Sequence, residues 1–274
     1  GWAGKMWALN HGIAHAQKSK PNFYWFTDAD IHHEPGVLTS LVNHAQQNKL
    51  ALVSLMVRLH VKTFWEKLLV PAFIYYFSLL YPFPAINDRK SKIAGAAGGC
   101  ILIKRGALEG VGGIAAVRDA VIDDCAVGKI IKKAGNPIWL GLGEHSHSLR
   151  GYANLSDFWL MVKRSAFTQL HHSLILTCSA LAGLSLTFLA PPFLFLLALG
   201  EGTALVGVCA FAAWILMIFT YSPTIRYHGL SSVWSLSLPI SALLFGAMTL
   251  DSALSGAFGG RTTWRGRDIN GGKG

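Results

Sequence analysis

Charge is scarce in this sequence. Only 14% of its 274 residues are Asp, Glu, Lys or Arg, whereas 52% are hydrophobic and the mean hydropathy is +0.40. That balance excludes a disordered tail and an ordinary water-soluble domain, both of which need more charged surface, so part of the chain belongs in lipid. Acids are the scarcer sign: 14 Asp and Glu stand against 24 Lys and Arg, for a formal net charge of +10. A chain this apolar and this basic suits anionic headgroups or phosphorylated substrates, and nucleic acid is not expected as a partner. Cysteine is sparse as well. Cys100, Cys125, Cys178 and Cys209 share no CxxC or other metal-ligand spacing, and two of them lie in apolar runs where a thiol packs as a small hydrophobe, so no disulfide framework is expected. HExxH and Cys/His finger spacings are missing, which leaves His32-His33, His145-Ser146-His147 and His171-His172 as surface, interface or hydrogen-bonded histidines. The P-loop pattern and the G-x-G-x-x-G fingerprint are missing too, so kinase and dehydrogenase readings lose ground. Nothing resembling a signal peptide opens the chain, which begins in mid-pattern at Gly1-Trp2-Ala3-Gly4-Lys5; the natural N-terminal portion is expected to be missing.

What is present divides by solvent. Residues 1–170 carry most of the charge and alternate short β-rich runs with helical patterns, as a layered α/β domain does. Ser173–Leu199, Thr203–Tyr221 and Val233–Phe258 each approach or exceed the ~20 apolar residues that cross a bilayer core, and none contains Lys or Arg. They predict a transmembrane helical region over 171–260, followed by a basic tail, 261–274. The short Gly200-Glu201-Gly202 loop on the far side and the Arg226/His228 loop on the near side suit the positive-inside rule. A third full crossing would carry Arg261, Arg265, Arg267 and Lys273 to the far side unless the last stretch, with Pro239 and Asp251, is broken or re-entrant; two to four crossings are expected. The run Leu68–Tyr81 is too short to span, and it reads either as an interfacial segment or as a buried core helix.

Within the α/β half, Lys5–Gln17 predicts a helix and Phe23-Tyr24-Trp25-Phe26 a buried strand ending in Thr27-Asp28. Pro35 is expected at the first position of a helix running to about Asn48, followed by a β-like run Leu50–Val57. Asp28-Ala29-Asp30 therefore lies at the carboxyl end of a strand, where open α/β sheets bind ligands. Gly95–Gly99 is a glycine-rich loop before a strand Cys100–Ile103. Asp119–Ala134 predicts a helix with Asp123 and Asp124 in its first turns and lysines in its last, then a strand Pro137–Leu142. Asn154–Leu170 reads as an amphipathic helix leading into the membrane.

Asp28 and Asp30, one residue apart, let two carboxylates share one divalent cation and leave its other positions to water and phosphate. The pair Asp123-Asp124 is open to two readings: acids favoured by the helix dipole, or one acid placed as a general base.

Four segments in order resemble membrane-bound glycosyltransferases of family 2, which have the GT-A fold. Gly4-Lys5-Met6-Trp7-Ala8-Leu9-Asn10-His11-Gly12 is similar to the family's G-K-x-x-A-L-N-x-G segment, and Phe26-Thr27-Asp28-Ala29-Asp30 to its D-x-D strand. Gly98-Gly99-Cys100-Ile101-Leu102-Ile103-Lys104-Arg105 resembles the acceptor-side glycine loop, and Ile122-Asp123-Asp124 falls where the family carries T-E-D. The whole pattern, with the closing Trp264-Arg265-Gly266-Arg267-Asp268, looks most like the hopene-associated glycosyltransferases of bacteria.

The resemblance implies a partial GT-A catalytic domain over 1–170, with a mixed or parallel sheet, and a metal-dependent, inverting transfer of a hexose from a nucleotide-diphosphate sugar, such as a UDP-sugar, to a membrane lipid, such as a hopanoid. Asp30 would bind Mg²⁺ or Mn²⁺, Lys5 and Asp28 would contact the donor, and Asp124 would take the acceptor's proton. Gly98, Gly99, Cys100, Asp123 and Arg164 would lie on the acceptor side. The enzyme would sit in a bacterial inner membrane with its catalytic domain cytoplasmic, and Leu68–Tyr81 and Asn154–Leu170 would deliver the lipid. Two departures stand out. The family's Q-x-x-R-W motif is replaced by Met161-Val162-Lys163-Arg164-Ser165, which keeps only Arg164, and the nucleotide-binding first half would precede Gly1. The rival reading is a noncatalytic membrane scaffold or lipid-binding protein; a transporter has only Asp251 as an intramembrane ionisable group.

Overall fold

The structure, a computed structural model, describes Trp2, residues 4–257 and the backbone of Thr263–Trp264 and Arg267–Asp268. Most of the basic tail, including Arg265 and Gly266 of the closing motif, lies outside the described residues. The chain forms two compact units, one of Gly1–His60 with Phe77–Gly151, the other of Val61–Tyr76 with Tyr152–Gly274.

The first unit is built on a five-stranded sheet: β1 (Phe23–Thr27), β2 (Ile31–His33), β3 (Leu52–Arg58), β4 (Cys100–Lys104) and β5 (Ile138–Ser148), in the order β1-β4-β3-β5-β2. It is mixed, as expected, but only β3 and β5 run parallel; the other three junctions are antiparallel. Apolar runs identify strands without naming their partners, so strand direction was not readable from them. The central strand β3 is an almost unbroken buried run, including Leu52, Val53, Met56 and Val57, as a strand covered on both faces must be.

Helix α1 (Gly4–Ala16) is anchored by the buried Met6. Helix α2 (Val37–Gln47) starts two residues after Pro35, which lies in the preceding turn rather than at the first helical position. Its buried Val37, Leu41 and Ala45 recur every four residues and pack with Val53, Val57 and Leu102 of the sheet; each large apolar side chain so buried contributes about 1.5–3 kcal/mol. Helix α3 (Phe64–Leu80), whose residues up to Tyr76 belong to the second unit, precedes the short α4 (Phe83–Asn87). Helices α5 (Arg105–Gly110) and α6 (Asp123–Lys133) follow β4, and α6 begins at Asp123 rather than Asp119. Lys132 of α6 donates from Nζ to the carbonyls of Ile86 (2.6 Å), Ile93 (2.7 Å), Asp88 (3.0 Å) and Ala85 (3.2 Å), which fixes the segment before the glycine loop.

In the second unit, Thr63-Phe64-Trp65-Glu66 forms a capping box at the start of α3. Thr63 Oγ1 accepts from Glu66 N (3.2 Å), and Glu66 Oε2 accepts from Thr63 N (2.8 Å). Glu66 is fully buried and also accepts from Lys62 N (2.7 Å) and Tyr152 N (2.7 Å). Leu68, Leu69, Val70, Ala72 and Ile74 are buried, which favours the core reading for that part of the run, whereas Leu79 and Leu80 are exposed.

Helix α7 (Leu155–Gln169) is capped by Asn154, whose Oδ1 accepts from Asp157 N (3.0 Å). Three helices that follow are long and apolar enough to cross a membrane: Leu174–Glu201, Ala204–Tyr227 and Ser232–Ala257. Large exposed side chains such as Ile175, Leu205, Leu186 and Phe219 cover them, an arrangement suited to lipid and not to water. The chain is a membrane-associated protein. The first span consists of α8 (Leu174–Leu184), a π turn (Ser185–Leu189) and α9 (Ala190–Glu201). The π turn falls just before Pro191-Pro192, which lack the N–H that an α-helical ladder needs. The second span is α10 (Ala204–Tyr227). The third enters by a 3₁₀ turn (Ser232–Ser237) and continues as α11 (Leu238–Ala257), with no break at either residue singled out in the sequence. Pro239 is the second residue of α11, where a missing N–H costs little. Asp251 is accommodated by α7: its carboxylate meets Lys163 Nζ and Trp159 Nε1, each at 2.7 Å, and Ser252 Oγ donates to Lys163 O (2.5 Å).

Candidate active site

Five of the expected site residues, Lys5, Asp28, Gly98, Asp123 and Asp124, converge in the first unit. Met6 packs α1 down beside the sheet, so Lys5 extends over the end of β1, where Asp28 begins the next turn. Lys5 Nζ bridges Asp28 Oδ1 (2.9 Å) and Asp123 Oδ2 (3.2 Å), a carboxylate from the start of α6. Asp124 is the second residue of that helix, whose preceding residue, Ile122, supplies no side-chain cap. Its own carboxylate takes that part: Oδ1 accepts from Cys125 N and Oδ2 from Gly98 N, both at 2.7 Å. The acids thus satisfy a helix end, as the dipole reading expects, and also face one ammonium.

The glycine loop permits this. A Cβ on Gly98 would lie 3.0 Å from Lys5 Nζ and 3.2 Å from Asp124 Oδ2, and one on Gly99 would lie 2.8 Å from Val57 Cγ2. Ser54, a lone hydroxyl in an apolar strand, is fully buried and holds the loop's start: it accepts from Ala97 N (2.8 Å) and donates toward Ala97 O (3.1 Å) and Cys100 O (3.0 Å). Lys5, Phe26, Thr27, Gly98, Asp123 and Asp124 line a cavity of about 20 Å³, enough for one water-sized particle.

The electrostatics are unequal. Burial alone would lower the Lys5 ammonium, but the carboxylates of Asp123, Asp28 and Asp124 hold its pKa well above the ordinary lysine value. Burial pushes Asp124 up to about 6 and the like charge of Asp123 adds to this, while the Cys125 N–H, the Lys5 ammonium and the Gly98 N–H pull the other way. A carboxyl group tuned to that range can accept a proton near neutral pH and release it again.

Other expected residues lie elsewhere. Asp30 does not line the cavity; its backbone carbonyl accepts from Leu149 N (2.8 Å). Cys100 is buried, receives a hydrogen bond from Trp25 Nε1 (3.3 Å), and has its thiol pKa raised by burial, so it serves packing. Arg164 belongs to α7 in the second unit. Among the described residues no three His, Cys, Asp or Glu side chains converge as a metal site. Mg²⁺ held with substrate phosphates and water needs only one or two carboxylates, a number that Asp28 and Asp30 supply, but Asp28 already has Lys5 as its counter-ion. Sequence reasoning passed over Thr27 and Ser54; a hydroxyl at the end of an aromatic strand and another inside an aliphatic one were the available signals.

A family profile described as Glycosyl transferase family 21 matches residues 4–274. A search of curated proteins gives no match.

Proposed function

The chain belongs to glycosyl transferase family 21, and from that premise we propose that it moves a hexose from a nucleotide-diphosphate sugar, such as a UDP-sugar, to a hydroxyl of a membrane lipid with inversion at the sugar carbon. The observation that carries this reading is the convergence of Lys5, Asp123 and Asp124 on one small cavity, with Asp28 paired to Lys5 beside it and Asp124 raised to about 6. Asp124 would take the proton of the acceptor hydroxyl as its oxygen bonds to the sugar's anomeric carbon. The bond from that carbon to the diphosphate breaks, and its electron pair leaves with the diphosphate. Lys5, a fixed positive charge, would face the diphosphate, and Gly98 N–H keeps the Asp124 carboxylate aimed. Asp30 would hold Mg²⁺ or Mn²⁺, which when bound neutralises charge on the leaving diphosphate, and Asp28 would contact the donor.

The likeness of the motifs to membrane-bound family 2 enzymes with the GT-A fold, and to the hopene-associated glycosyltransferases of bacteria, supports a hopanoid-like acceptor, a bacterial inner membrane and a cytoplasmic catalytic unit. The test is Asp124→Asn in the full chain. Transfer to extracted membrane lipid should be lost while nucleotide-sugar affinity stays within twofold; unchanged turnover would overturn the reading. One observation favours the rival, a noncatalytic scaffold: Lys5 is already engaged by Asp28 and Asp123. Calorimetry with a UDP-sugar, with and without Mn²⁺, separates the two, because only the enzyme should bind it in a metal-dependent way.

A further inference from the structure

Beside the acids, a chain of side-chain hydrogen bonds runs in from the far edge of the sheet. The short strand β2 pairs with β5 so that His33 lies opposite Ser146, and His33 Nδ1 meets the fully buried Ser146 Oγ at 2.8 Å. On its other side His33 Nε2 meets Thr27 Oγ1 at 2.9 Å. The Thr27 hydroxyl is within reach of two carbonyls, Gly99 O (3.1 Å) and Asp28 O (3.2 Å). A hydroxyl has one proton, and only carbonyls surround it apart from the imidazole. The arrangement that satisfies every group has Thr27 donating to the carbonyls, His33 Nε2–H donating to Thr27, and Ser146 donating to Nδ1. That requires a neutral ring, in keeping with a His33 pKa lowered by burial and by the neighbouring His32 and His147. The indole of Trp25 lies 4.7 Å away between ring centroids and limits the imidazole's rotation.

We infer that His33 is a positioning residue: through Thr27 it holds the Gly99 carbonyl and the start of the Asp28 turn, and so keeps Gly98 N–H on the Asp124 carboxylate. His33 touches none of the cavity-lining acids itself. Its effect passes through one hydroxyl to the loop that carries the hydrogen bond to Asp124. The inference rests on the proposed transferase activity only for its kinetic arm.

Two readouts on the full chain in detergent micelles test it. Amide hydrogen exchange of segment 94–101 should be several-fold faster in His33→Ala and in Thr27→Val than in the wild type, and the double variant should be no faster than either single one. His33→Gln, whose amide nitrogen can reach the place of Nε2, should restore the wild-type rate; His33→Asn, which reaches only the place of Nδ1, should not. In the kinetic arm, kcat should fall about tenfold in His33→Ala with donor KM within twofold, the pattern expected when a reacting group is misplaced and binding is spared. Wild-type exchange in both single variants, multiplicative effects in the double variant, or failure of His33→Gln to rescue would each overturn the inference. So would faster exchange with unchanged kcat. If the wild type transfers no sugar, the proposed function fails, and the exchange arm still decides the role of His33.

Discussion

Each unit of the molecule encloses a carboxylate that accepts backbone N–H groups, and the two differ in what else surrounds them. Glu66 in the second unit takes three amides, from Lys62, Thr63 and Tyr152, and is fully buried. Asp124 in the first takes two, from Gly98 and Cys125, but lines a cavity shared with Asp123 and Lys5. The same hydrogen-bond chemistry therefore makes a staple in one place and a candidate base in the other. Amide donors fix a carboxylate's position; neighbouring charge and an open side decide whether it can exchange a proton.

That contrast can be broken by showing that the two acids respond alike. The largest effect is expected for Asp124→Asn, with turnover down by about a thousandfold and the thermal midpoint within a few degrees of wild type, as read by lipid glycosylation and by thermal denaturation in micelles. Glu66→Ala should do the reverse. It strands three part-buried N–H donors and should lower stability by about 3 kcal/mol, seen as an earlier unfolding transition. A smaller loss, about 1–2 kcal/mol, is expected for Asp251→Asn, which removes the charge partner of Lys163 from the contact between α7 and α11; its measure is the midpoint of unfolding in mixed detergent. The smallest test is pH. Asp124 acts as a base only when ionised, and its pKa is raised to about 6, so kcat should be level above that value and fall toward tenfold per unit below it. A profile flat down to pH 5 would remove the distinction between the two acids.

Much of this was legible from local pattern. The apolar runs gave β1, β3 and β4, the D-x-D at a strand end, the glycine loop and three long lipid-facing helices, because each depends on neighbours within a dozen residues. Pairing direction did not, since β3 meets β5 across a long connection. Strand β2 was hidden because its His32-His33 pair is polar and its pairing is supplied by β5. The boundaries of α2 and α6 shifted for local reasons, with Pro35 spent in a turn and the residues before Asp123 in another. The capping box at Thr63-Phe64-Trp65-Glu66 was written plainly in the sequence and passed unread. Lys5 entered the candidate site through motif resemblance alone, because its meeting with Asp123 joins distant parts of the chain.

The amine of Lys132 spans four carbonyls between Ala85 and Ile93 with only three protons to give. It works there as a tethered monovalent cation would, gathering oxygens from every side. A planar guanidinium could not converge on the same four points, so a chemical cap on that nitrogen would leave the connection to its remaining ties, chiefly the paired hydrogen bonds of Asn87 with Leu140.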